Sequence, residues 1–192
     1  MSARETKSST KLVDGGRRKE WRRHLVNPPV ERASTILFDS VAELQGSKPE
    51  LGVYRYGLQG TATHWALSEA LTGLEPGAAG TALYSSGLAA ITAALLILLS
   101  PGDELLAADS IYGPTRKFCD TLLKRYGVST RYYDPLTIPD IGETTRAIML
   151  ESPGSQTMEV QDVPGICRVA RERGIATILD NTWATPLLFP AI

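Results

Sequence analysis

The 192-residue sequence predicts an α/β fold: a largely parallel, mixed sheet with helices on both faces. Three observations carry that expectation. Short apolar stretches rich in β-formers alternate with helical segments through the second part of the chain. One helix candidate, residues 87–99, is apolar nearly all round, as a buried helix would be. The first 60 residues show no such alternation. They predict an extended N-terminal arm over residues 1–60, laid on a partner, and a domain over residues 61–192.

Residues 1–24 are polar and basic, with Gly15-Gly16 expected as a flexible break. Asn27-Pro28-Pro29 reads as extended or turn, because proline lacks an N–H and restricts the residue before it. A short helix is expected near residues 40–45. Ala66, Leu67, Ala70, Leu71 and Leu74 then recur at helical spacing, with Thr63 as the candidate N-cap and Pro76-Gly77 as the stop. Residues 81–84 are the first strand candidate. The apolar helix 87–99 follows and ends at Ser100-Pro101-Gly102. Strands at 104–108 and 128–133 flank a helix at 114–126, and strands at 146–150 and 175–179 flank a helix at 163–173. Residues 186–192 are apolar and carry no stop signal, so the chain is expected to end inside its domain.

Composition removes several function classes. Net charge is −1, but residues 1–32 carry +5 and the rest −6. No aromatic-interleaved basic surface follows that arm, so nucleic-acid binding is not expected. The longest apolar run is too short to span a bilayer and the N-terminus has no signal-like apolar core, so neither membrane nor secretion is expected. Cys119 and Cys167 match no zinc or redox spacing and suit a reducing cytoplasm. His24 and His64 lack ligand-spaced partners, so no metal site is expected, and His64 reads as a surface residue at a helix start.

Four places could carry chemistry. Ser85-Ser86-Gly87 follows a strand candidate and opens a helix, where free amides and the helix dipole favour a phosphate; a plain serine N-cap is the alternative. Asp180 ends an apolar strand at the usual ligand crevice of an α/β sheet, where it could meet a cationic ring nitrogen or a metal, or cap its own loop through Thr182. Tyr112 lies in the loop after strand 104–108 and could stack on a flat ring or pack on the sheet edge. Arg55, between Tyr54 and Tyr56, could reach a phosphate or lie on the surface.

Four ordered stretches resemble the pyridoxal-phosphate (PLP) enzymes of Cys/Met metabolism, fold type I. They are Val26-Asn27-Pro28-Pro29-Val30, YGLQGTATH at 56–64, SSGLAA at 85–90, and ESPGSQTMEV at 151–160 with ILDNTWA at 178–184. The last pair points to the cystathionine β-lyase branch over cystathionine γ-lyase, cystathionine γ-synthase and methionine γ-lyase. The resemblance implies β-elimination of L-cystathionine to homocysteine, pyruvate and ammonia, within transsulfuration and methionine biosynthesis. It implies that Ser86, Gly87 and Leu88 hold the PLP phosphate, that Tyr112 stacks on the ring and that Asp180 keeps the ring nitrogen protonated. Ser155 and Thr182 would stand by the cofactor, and Tyr56 would enter the active site of a neighbouring subunit of a homotetramer.

Three departures qualify the resemblance. Leu58 stands where relatives often carry arginine, and Ser155 where they often carry asparagine. No lysine follows Lys124, so the Schiff-base lysine expected after the Asp180 strand is not among these residues. The implied product is a truncated chain, inactive alone, or an interaction fragment that docks on a full-length relative. It is expected to be aggregation-prone or partly molten.

Overall fold

The computed structural model describes residues 7–48 and 50–192; the first six residues of the predicted arm, and Pro49, lie outside it. The chain divides into two compact units after Leu83, with Ile192 grouped in the first.

The first unit holds α1 (Ser8–Asp14), α2 (Lys19–Arg22), α3 (Val41–Gly46), a 3-10 turn at Gly57–Gln59 and α4 (Ala62–Leu74). Trp21, Ala62, Trp65 and Ala66 form its small core. The two indoles lie 6.4 Å apart, and the Tyr54 ring meets Trp65 edge-on at 4.7 Å. The arm is therefore tied down by packing of its own. Its Gly15-Gly16 pair is a close contact and not the expected flexible break. Gly16 has φ +70°, and a Cβ there would stand 2.1 Å from the carbonyl oxygen of Ala66 on α4.

Thr61, not Thr63, caps α4. Thr61 is in the extended conformation a cap needs, and its hydroxyl accepts from the His64 N–H. His64 Nδ1 accepts in return from the Thr61 N–H at 3.3 Å. Thr63 is used instead to fasten the arm: its hydroxyl donates to the Pro29 carbonyl (2.9 Å) and accepts from the Glu31 N–H (2.8 Å).

The strand expected at 81–84 does not form. No neighbouring strand pairs with it among the described residues, and its polar groups are committed to α4. Ser68 Oγ donates to the Thr81 carbonyl (2.6 Å), and the Thr72 and Thr81 hydroxyls pair at 2.8 Å.

The second unit is a four-stranded sheet, all parallel, in the order β2-β1-β3-β4. Its strands are β1 (Glu104–Ala108), β2 (Ser129–Tyr133), β3 (Thr145–Glu151) and β4 (Ala176–Asp180). Leu105 to Ala108 and Ala147 to Leu150 are fully buried, as central strands covered on both faces must be. β2 and β4 lie on opposite sides of the β1-β3 pair, so the right-handed rule for parallel crossovers assigns α6 (Gly113–Phe118) and α7 (Val163–Glu172) to opposite faces. α6 runs on through a π turn, Cys119–Leu123, so the predicted helix 114–126 is present with that irregularity. Pro164 in the first turn of α7 and Asp162, which accepts from the Gly165 N–H (3.0 Å), explain why α7 starts where it does. α8 (Thr185–Leu188) closes the unit.

α5 (Gly87–Leu98) forms where the apolar run predicted it, but it is buried on one face only. Ile91, Leu95 and Leu99, spaced by four, are buried, while Leu96, Ile97 and Leu98 face outward and Ile97 is 79% exposed. A helix laid on a sheet buries one stripe. At the amino end of the sheet, Arg131 forks onto Glu104 (3.1 and 2.9 Å), and Thr145 donates to the same carboxylate (2.7 Å), joining β2, β1 and β3. Among the described residues no helix is long and apolar enough to cross a membrane, and no three metal-ligating side chains cluster.

Candidate functional site

β1, β3 and β4 are neighbours, so the three loops leaving their carboxyl ends lie side by side. Those loops carry Tyr112, Ser155 and Asp180 with Thr182. Open α/β sheets gather ligands at this end. Two backbone bonds join the loops after β1 and β3. The Tyr112 N–H donates to Glu151 Oε2 at 2.7 Å, and the Ser155 N–H donates to the Ser110 carbonyl at 2.8 Å. Gly154 permits the second approach, because a Cβ there would stand 2.6 Å from the Ser110 side chain.

Asp180 is the register partner of Glu151. Its Oδ1 accepts from the Thr182 N–H (3.0 Å) and from the Thr182 hydroxyl, so Asp180 does cap its own loop. Both bonds use Oδ1, which leaves Oδ2 open to another donor.

α5 returns to the same end. It joins the amino end of β1 through a short turn after Leu99, and its 12 residues rise about 18 Å, close to the length of a five-residue strand. It packs against α6, β3 and β4. Its N-terminus at Gly87 therefore comes back towards the carboxyl ends of the strands. Ser86 is the N-cap, with Oγ accepting from the Ala89 N–H at 3.1 Å. The Gly87 and Leu88 N–H groups have no acceptor among the described residues, and a Cβ on Gly87 would meet nothing within 4 Å.

Three comparisons of this chain with known proteins bear on that arrangement. The sequence model for Cys/Met metabolism PLP-dependent enzymes matches residues 9–192. The chain belongs to that family. A cystathionine β-lyase of Salmonella typhimurium is 42% identical over 95% of this chain and 48% of its own length. Among solved structures, a cystathionine γ-lyase of Lactobacillus plantarum complexed with L-serine superposes with a TM-score of 0.84 at 28% identity, covering 94% of this chain and 46% of that one. A Campylobacter jejuni chain solved with a pyridoxyl-lysine monophosphate gives 0.85 at 27% identity, covering 97% and 47%. The chain spans about half the length of the curated relatives it matches.

The residues present fit the PLP of the family. Unbonded first-turn amides with open space before them suit a phosphate, and a carboxylate with one free oxygen at the end of β4 suits a protonated ring nitrogen. Seven predicted residues, Ser86, Gly87, Leu88, Tyr112, Ser155, Asp180 and Thr182, thus belong to one end of one unit. Tyr56 lies in the first unit, half exposed, bridged to Thr35 and followed by Gly57, whose N–H donates to the Ser34 carbonyl at 2.7 Å. Leu58 is almost fully exposed, and Lys117 and Lys124 are exposed.

Two residues given no role by the sequence reading belong to this end. Glu151 is buried, 4% exposed, and carries the Tyr112 amide. Burial holds its carboxyl above the usual range. The Tyr112 N–H opposes that rise and the charge of Asp180 adds to it. Ser110 is buried with its Oγ unpartnered. The one signal for Glu151 was its place at the head of the ESPG stretch, directly after an apolar strand.

Proposed function

We propose that this chain forms the phosphate-and-ring portion of the PLP site of a carbon–sulfur lyase acting on L-cystathionine by β-elimination. The observation that carries the reading is Asp180, set in register with Glu151 at the sheet's carboxyl end, with Oδ2 unbonded among the described residues. Bound there, PLP would supply an electron sink for the pair left when the Cα–H bond of an amino-acid substrate breaks. The Gly87 and Leu88 amides would bind the phosphate, and Tyr112 would stack on the ring. Asp180 would hold a proton on the ring nitrogen by charge attraction. Ser155 and Thr182 would orient the ring edge and the Asp180 carboxylate.

The β-lyase branch is favoured by ESPGSQTMEV and ILDNTWA and by the Salmonella relative's name; the γ-lyase, γ-synthase and methionine γ-lyase branches are the alternatives. Assembly into a homo-oligomer or with a full-length relative, with Tyr56 serving a neighbouring site, belongs to the same reading. So does a reducing cytoplasm, where Cys119 and Cys167 remain thiols. The outward apolar face of α5 supports association.

Pyridoxamine 5′-phosphate tests the binding reading, because it lacks an aldehyde and cannot react with exposed lysines. Saturable binding to the 192-residue chain, weakened at least about tenfold in Asp180→Asn, is expected. An unsaturable or Asp180-independent signal would refute it. With PLP and borohydride, no single lysine is expected to carry a stoichiometric pyridoxyl label, since Lys117 and Lys124 are exposed on a helix.

A further inference from the structure

We propose that Glu151 is a positioning residue for the ligand end of the sheet: its buried carboxyl accepts the Tyr112 amide and so fixes where the Tyr112 ring stands beside Asp180. The inference rests on the PLP reading above and extends it to a residue with no place in that reading.

Four observations converge. Glu151 is a buried acid on the central strand β3, where an apolar side chain would satisfy packing. Its side chain makes one bond, to a backbone N–H 39 positions earlier, at the residue that opens α6. A second set of bonds fixes the backbone that carries it. Gln161 Nε2 donates to the Glu151 carbonyl (2.6 Å), the Gln161 N–H donates to Ser152 Oγ (3.0 Å), and the buried Tyr133 hydroxyl donates to Gln161 Oε1 (2.8 Å). Finally, Asp180 stands beside it in register on β4, where adjacent strands are about 4.8 Å apart and paired side chains share a face.

Two carboxyls so placed do not both ionise readily. Burial and the charge of Asp180 both push the Glu151 carboxyl upward, against the Tyr112 N–H. Glu151 contributes geometry, through its one bond to the Tyr112 amide among the described residues. A carboxyl accepts an N–H through one oxygen, and so can an amide side chain. The division of labour is therefore testable by isosteric replacement: Glu151→Gln keeps the acceptor and no charge, whereas Glu151→Ala leaves the Tyr112 amide unpaired.

The experiment uses the 192-residue chain, pyridoxamine 5′-phosphate as the probe and two readouts: affinity by titration, and hydrogen exchange at the Tyr112 amide. Glu151→Gln is expected to bind within about threefold of the parent and to keep the amide protected. Glu151→Ala is expected to bind at least about tenfold more weakly and to lose that protection. Wild-type affinity in Glu151→Ala would overturn the proposal. So would a loss in Glu151→Gln as large as in Glu151→Ala, since that would make Glu151 a second anion and not a positioning group. If Glu151→Ala does not fold, Glu151→Gln decides alone: a weakened complex or an exposed Tyr112 amide overturns the proposal. Failure of the parent chain to bind the probe would instead remove the PLP reading itself. Parent binding with unchanged Glu151 variants would remove only the role given to Glu151.

Discussion

Gly154→Ala tests whether the loops after β1 and β3 are in the contact described. An added Cβ would stand 2.6 Å from both Cβ and Oγ of Ser110 and 3.2 Å from Glu159 Oε2. Ser110 is itself buried, so it cannot swing into solvent. Overpacking of this kind costs about 1–3 kcal/mol. The backbone at Gly154 is not left-handed, so the alanine recovers about 0.4–1 kcal/mol by restricting the unfolded chain. The net loss is roughly 0–2.6 kcal/mol, a fall of up to about 10 °C in Tm for a chain of this size. Gly87→Ala is the control, because its Cβ would meet nothing within 4 Å. Circular-dichroism melts at low protein concentration give the difference. Hydrogen exchange at the Ser155 amide, bonded to Ser110, shows whether the loop has moved. If Gly154→Ala melts at or above Gly87→Ala and the Ser155 amide stays protected, the contact is wrong.

Three further outcomes are expected. Arg131 beside Glu104 holds that carboxyl below its usual value of 4.5. Such a group adds stability above the unfolded value and loses it as pH falls through the folded one. Glu104→Gln should therefore flatten the fall in stability on acidification below about pH 4.5 in urea titrations, and an unchanged slope would rule the pair out as its source. Burial pushes the Cys119 thiol up to about 11, and the side chain is 1% exposed. A disulfide reagent at pH 8 should label half-buried Cys167 first and Cys119 only under denaturant; equal native rates would contradict its burial. Ile97→Lys, on the outward face of α5, should reduce concentration-dependent sedimentation without lowering Tm, and an unchanged sedimentation profile would clear that face of a role in self-association.

How much was legible depended on how far each signal reached along the chain. The strand 104–108 and the helix 163–173 were readable because a β-branched or apolar run, or a proline with an acidic cap, writes its own boundary. Residues 81–84 have strand composition, yet a strand needs a partner, and Ser68 and Thr72 claimed them first. Gly15-Gly16 read as flexible because glycine permits everything locally; its use was set by Ala66, fifty residues away. Thr61 and Thr63 are interchangeable as cap candidates until the arm residues Pro29 and Glu31 take Thr63. At the site, Asp180 and Gly87 were visible because each ends or opens an element. Glu151 was not, because its use is set by a bond from the Tyr112 amide, 39 positions earlier in the chain.

The tryptophan pair of the first unit gives the molecule an optical label that needs no engineering. Trp21 and Trp65 are buried 6.4 Å apart, whereas Trp183, the third indole of the chain, is 55% exposed in the second unit. Native emission should split accordingly, into a blue component shielded from acrylamide and a red one that the quencher reaches. Loosening of the N-terminal unit would convert the first into the second while the sheet's far-ultraviolet signal stays intact. Order in the two halves of the chain can thus be followed in one cuvette.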